Sequence, residues 1–155
     1  MSDETTVRDL YIQVLDGWNA ASGEKFMAPF TDRIDFIGFD GTRFTDKRAS
    51  ADFHQQLFDK WLKGSRLTGN PEVRFITPDA AVIVARGGTI LRGKTKPSKV
   101  RESIQTLTAA RTPEGWRLTS FQNTRFRPMT ANGMHVLLWL VTDLLWKLAP
   151  KGQQK

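Results

Sequence analysis

The chain has 155 residues, no cysteine, two histidines and a formal net charge of +7. This length suits one domain burying about 70% of the surface its unfolded form exposes, and the missing cysteines exclude disulfides, thiolate nucleophiles and thiolate-held metals, so no metal site is expected. The charge is divided unevenly: residues 1–60 hold 11 acidic and 7 basic side chains, residues 61–155 hold 5 and 16. A basic side follows, suited to nucleic acid, an anionic membrane or an acidic protein, with no motif for a specific nucleic acid. Asp3, Glu4, Asp9 and Asp16 break up any signal-peptide pattern, which points to a cytoplasmic protein. No apolar stretch reaches the ~18 residues of a membrane span.

In chain order, Val7, Leu10, Tyr11, Val14, Leu15 and Trp18 recur at helical spacing, and Ser22-Gly23 ends the helix. EKFMAPF predicts a short second helix cut by Pro29. DFIGFDGTRFT alternates around Asp40-Gly41, the dipeptide of tight hairpins. KRASADFHQQLFDKWL predicts a third helix with Phe53, Leu57, Phe58, Trp61 and Leu62 on one face, ended by Gly64.

From Pro71 the period changes to two. EVRFI, AAVIVARGGTIL, VRESIQTLTAAR and GWRLTSFQNTRF read as four strands separated by turn-rich segments. Helices, a hairpin and then a meander make the class α+β. If Arg111 faces Trp116 across the last turn, simple alternation sets Leu107 against Ser120, Gln105 against Gln122 and Ser103 against Thr124. Gln105 and Gln122 then share the helix-covered side, with Asn123 on the opposite face or at the rim.

The succession of WN at 18–19, FIGFDGT at 36–42, His54 with LF at 57–58, KGSRL at 63–67, PDAAVIVA at 78–85, IQTL at 104–107 and FQNTR at 121–125 resembles the SgcJ/EcaC family. That family belongs to the SnoaL-like branch of the cone-shaped, nuclear-transport-factor-two-like superfamily, and the likeness spans roughly residues 5 to 127. It implies a curved antiparallel sheet closed on one side by N-terminal helices, a pocket between them, and frequent homodimers. Related folds move protons beside a carbonyl with a carboxylate or an Asp/His pair. No GxGxxG follows a strand, so no cofactor is expected.

On these grounds residues 1–128 form the cone domain, with a small-molecule pocket for a polyketide-like or other largely apolar compound. Binding, or help with a cyclisation, isomerisation or dehydration, is the expected activity. His54, in the apolar stripe of its helix, is the candidate general base, and a buried histidine satisfied by one hydrogen bond is the structural alternative. Asp35 is a second acid-base candidate. Trp18, Phe58, Arg66, Gln105, Gln122 and Asn123 are the expected ligand-binding residues; Trp18 and Phe58 fit the core equally well. Asp40 suits its turn. The expected homodimer uses the outer sheet face, assigned Ile104, Thr106, Thr108, Phe121 and Asn123.

Residues 129–155 carry MHVLLWLVTDLLWKL at 134–148, an extra apolar C-terminal helix followed by a basic tail. Fifteen helical residues reach ~22 Å, short of the ~30 Å hydrocarbon core. Such a helix packs on its own domain, swaps onto a dimer mate or lies at a membrane surface beside Arg92, Lys94, Lys96, Lys99 and Arg101. The last option, a peripheral membrane contact, belongs to the alternative function of an interaction module without chemistry.

Overall fold

The computed structural model describes residues 2–127, Leu137 and residues 140–145. Helix α1 (Asp3–Asn19) starts where Ser2 Oγ accepts from the Thr5 amide, with Asp3 and Glu4 favourably placed in its first turn. Ser22, expected to end that helix, caps the next one by accepting from Lys25 N, so α2 (Gly23–Met27) follows almost at once. Strands β1 (Phe30–Ile37) and β2 (Arg43–Asp46) form the expected hairpin. Asp46 Oδ1 then accepts from Ala49 N at 2.8 Å and starts α3 (Lys47–Asp59).

The sheet has the order β2-β1-β6-β5-β4-β3, where β3 is Arg66–Thr77, β4 Ala80–Ile90, β5 Glu102–Thr112 and β6 Gly115–Arg125. It is mixed rather than wholly antiparallel, because β1 runs parallel to β6. Strand β3 begins well before the expected EVRFI, and Pro71 is tolerated inside it because β3 is an edge strand. Helix α3 stops at Asp59, earlier than expected. Its buried face is Ser50, His54 and Phe58, while Trp61 lies beyond the helix and is 82% exposed.

The expected register holds from Thr112↔Gly115 to Ala109↔Leu118 and then slips by one. Thr119 and Ser120 both stand against Thr108, whose Oγ1 lies 2.7 Å from the hydroxyl of each. This is a β-bulge, and it reverses the faces of everything after it. Leu107 pairs with Phe121, Thr106 with Gln122 and Gln105 with Asn123. Gln122 is exposed on the outer face, whereas Phe121 is buried. The face assigned to a dimer therefore loses Phe121 and Asn123, and its apolar members are Val82, Val84 and Ile104.

Helix α1 lays Val7, Leu10, Tyr11 and Val14 on the sheet, and all four are buried. Close approach depends on Gly69 and Gly87, which pair in register. A Cβ on Gly69 would collide with the Tyr11 hydroxyl, and one on Gly87 with the Thr68 carbonyl. Into that gap Tyr11 donates a 2.8 Å hydrogen bond to Gln105 Oε1. Burial pushes the Tyr11 hydroxyl well above its ordinary pKa, so it remains a donor.

Of the expected C-terminal helix, Leu137 and residues 140–145 are helical, with Leu137, Leu140, Val141, Leu144 and Leu145 exposed. The remainder of 134–148 and the expected boundary at 128/129 lie outside the described residues. Among the described residues no helix is long and apolar enough to cross a membrane.

Tyr11→Phe removes the partner of a fully buried amide and should destabilise the domain by about 1–3 kcal/mol. Tyr11→Phe with Gln105→Leu leaves no orphan and should recover much of that loss. Urea unfolding of the two variants and the wild type checks both expectations.

Candidate functional site

A cavity of about 330 Å³ opens between the three helices and the β1/β6 side of the sheet. Trp18 comes to it from α1, Phe26 from α2, Phe53 and His54 from α3, and Phe36 and Phe121 from adjacent strands. Phe36 stacks on Phe121 with ring centroids 4.6 Å apart and planes 7° from parallel. Both rings of that stack line the cavity and form its aromatic floor. A second depression, about 610 Å³, is lined by Glu24, Asp32, Asp46, Lys47 and Asp52. Its acidic side chains are exposed, so it is a hydrated surface hollow rather than a desolvated site.

His54 sits within the aromatic wall, its ring centroid 4.7 Å from Phe26, 4.9 Å from Phe36 and 5.6 Å from Phe53. Its Nδ1 is 2.7 Å from the Ser50 carbonyl oxygen, which can only accept. Nδ1 therefore carries the proton and the Nε2 lone pair is left without a hydrogen-bond partner among the described residues. Burial lowers the pKa from its ordinary 6.5 to about 4, against the opposing pull of the Ser50 hydrogen bond. At neutral pH His54 is an uncharged acceptor and a weak base.

Asn123 also lines this cavity, and among the described residues its buried Oδ1 has no hydrogen-bond partner. Gln105 stands opposite it on β5, with Nε2 buried and unpartnered. A buried amide with unmet capacity is costly, and a group placed at Asn123 would relieve that cost.

The other expected residues are distributed differently. Trp18 lines the cavity and donates from Nε1 to Ser65 Oγ at 3.1 Å. Phe58 is buried behind the wall, edge-on to Trp18 at 5.1 Å. Gln105 is fully buried and held by Tyr11 instead of lining the cavity. Gln122 is removed from the site by the bulge. Arg66 is exposed at the start of β3 and lies off the cavity wall. Asp35 is exposed and accepts from Arg43 Nε at 3.0 Å, so it is a surface ion pair and not a base in the cavity.

Asp40 does reach the cavity, but its carboxylate accepts from both the amide and hydroxyl of Thr42. The Thr42 amide holds its pKa below the ordinary carboxylate value, as its turn role requires. Sequence reasoning passed over Phe36 and Phe121, whose roles depend on the bulge, and Arg101 and Arg125, which stand beside the opening.

No protein-family model and no curated protein matches this sequence. A domain of unknown function with a cystatin-like fold from Nostoc punctiforme is 36% identical, with 94% of this chain and 96% of that one covered and a TM-score of 0.78. The chain belongs to that protein's family. Fold similarity extends to a nuclear-transport-factor-two-like protein with a cystatin-like fold from Novosphingobium aromaticivorans, at 18% identity, 83% and 85% coverage and a TM-score of 0.72. A nuclear-transport-factor-two-like protein of unknown function from Shewanella oneidensis gives 16% identity, 79% and 99% coverage and a TM-score of 0.65. These two likenesses are of fold, the cystatin-like α+β arrangement that the Nostoc relative also has.

The depressed pKa of His54 has a measurable consequence. Between pH 6.5 and about 4 the unfolded chain holds a proton on His54 that the folded chain lacks. Stability from this residue is therefore present above pH 6.5 and lost as pH falls toward 4, by up to about 3 kcal/mol. His54→Gln should flatten that part of the pH–stability curve, which urea unfolding across pH 7 to 4.5 will reveal.

Proposed function

We propose that the protein binds a small, largely apolar, ring-containing compound in the aromatic cavity. The supporting observation is one cavity that combines aromatic walls with the free lone pair of neutral His54 and the unmet amide oxygen of Asn123. Apolar surface supplies most of the affinity in such a site, while a few fixed polar groups set orientation. A hydroxyl or enol that donates to His54 Nε2 satisfies it without transferring a proton. The weak basicity of His54 and the engagement of Asp40 by Thr42 favour binding over proton abstraction. Resemblance to the SgcJ/EcaC and SnoaL-like proteins supports a polyketide-like compound, held so that its own groups meet for cyclisation or dehydration.

Trp18 and Trp61 both border the cavity, so binding is readable in tryptophan fluorescence. 2-Naphthol should give a saturable change and bind several-fold more tightly than naphthalene, as one neutral hydrogen bond of about 0.5–1.5 kcal/mol implies. His54→Phe should erase the difference between the two. No saturable change with either compound counts against the proposal.

A second reading, an interaction module, is favoured by the exposed side chains of Leu137, Leu140, Val141, Leu144 and Leu145, which recur at helical spacing. With the basic residues near Lys99 and Arg101, this segment suits the surface of an anionic membrane. Full-length protein should float with phosphatidylserine vesicles at low salt and be released at high salt. Failure to float at low salt rejects this reading.

A further inference from the structure

The opening of the cavity has an excess of positive charge. Arg101 and Arg125 both border it, from the turn before β5 and the end of β6. Arg125 is held in place: Nη1 donates to the Val100 carbonyl at 2.7 Å, and the guanidinium lies 3.7 Å from the centre of the Phe39 ring. Arg127 is fixed nearby by a 2.9 Å hydrogen bond from Nη1 to Lys99 O.

Among the described residues no ion pair joins a carboxylate to Arg101, Arg125 or Arg127. Glu102, next along the chain, is paired with Arg86 at 3.4 Å. The pKa of Arg125 is lowered, first by burial and then by the like charges of Arg101 and Arg127. Partly buried guanidinium groups that repel one another are stabilised by an anion. Asp40, ionised and turned onto Thr42, borders the same cavity and offsets one of the two lining cations. The remaining charge matches a monoanion better than a phosphate dianion.

We propose that the ligand is an aromatic or alicyclic monocarboxylic acid, its ring system on the Phe36–Phe121 floor and its carboxylate between Arg101 and Arg125. Asn123, on the same strand two residues before Arg125, lines the same cavity. This inference rests on the cavity being a ligand site. It adds the charge that the ligand must carry.

The test compares 2-naphthoate with 2-naphthamide, its uncharged analogue of nearly the same shape, by tryptophan fluorescence at pH 7.5. Naphthoate should bind roughly tenfold or more tightly than the amide, since hydrogen bonds to charged groups exceed neutral ones by about that much. Arg101→Gln, at a side chain with no ion pair to lose among the described residues, should reduce the preference to within about twofold by weakening naphthoate far more than naphthamide. Arg125→Gln should do the same, and Lys99→Gln, which alters the general basic field but not the cavity wall, should retain the preference. Equal binding of the two compounds, or a preference that survives both arginine substitutions, overturns the carboxylate while leaving the cavity as a ligand site. Loss of the preference in Lys99→Gln assigns it to diffuse charge and also overturns the proposal. If neither compound binds, the cavity reading fails and this inference with it.

Discussion

The inward residues of β6 depend on the one extra residue that Thr119 and Ser120 together place opposite Thr108. Without it, plain alternation would send Gln122 and Thr124 toward the helices and put Phe121 and Asn123 in solvent. The slip instead lets Phe121 meet Phe36, which joins the last strand to the first through a ring stack as well as a backbone ladder. The hydroxyl of Thr108 reaches both bulged side chains, so the irregularity is hydrogen-bonded on its polar side and packed on its apolar side.

This arrangement separates the polarity of the site by depth. His54 is kept neutral by burial among phenylalanines and tied at Nδ1 to its own helix, so it contributes direction rather than charge. The guanidinium groups stand at the opening, where Arg125 rests on Phe39, itself 55% exposed. A compound with an apolar body and one polar end matches that gradient better than a uniformly polar one.

Much of the fold was legible because periodicity and caps agree. The helical spacing of Val7, Leu10, Tyr11 and Val14 matches the buried face of α1, and the Asp40-Gly41 dipeptide marks the hairpin turn. The α+β fold, with N-terminal helices on one face of a curved sheet, was legible in the ordered motifs. The end of α3 was not, because Trp61 and Leu62 continue an apolar pattern after the helix has stopped. The β6 error came from extending period two through a sequence that breaks it. Trp116, Leu118 and Phe121 are spaced by two and then by three, and the hydroxyl pair Thr119-Ser120 fills the break. Gln122 was consequently given the inward role that belongs to Asn123. Arg101 and Arg125 read as members of a general basic half, since their lack of carboxylate neighbours emerges only after the strands are assembled.

The parallel pairing of β1 with β6 also fixes an order of events as the chain is made. Phe36 and Ile37 lie beside Phe121 and Gln122, so the first hairpin cannot gain its second strand neighbour until nearly the whole domain has been synthesised. Strands β3, β4 and β5 can pair in sequence through local turns, but they remain a separate sheet until β6 arrives on β5. Such sequence-distant closure incurs its loop entropy before its contacts form. During translation the aromatic faces of Phe26, Phe30 and Phe36 have helices near them but no completed sheet. The cavity is thus among the last features to form, and a chain truncated before residue 121 would lack its floor altogether.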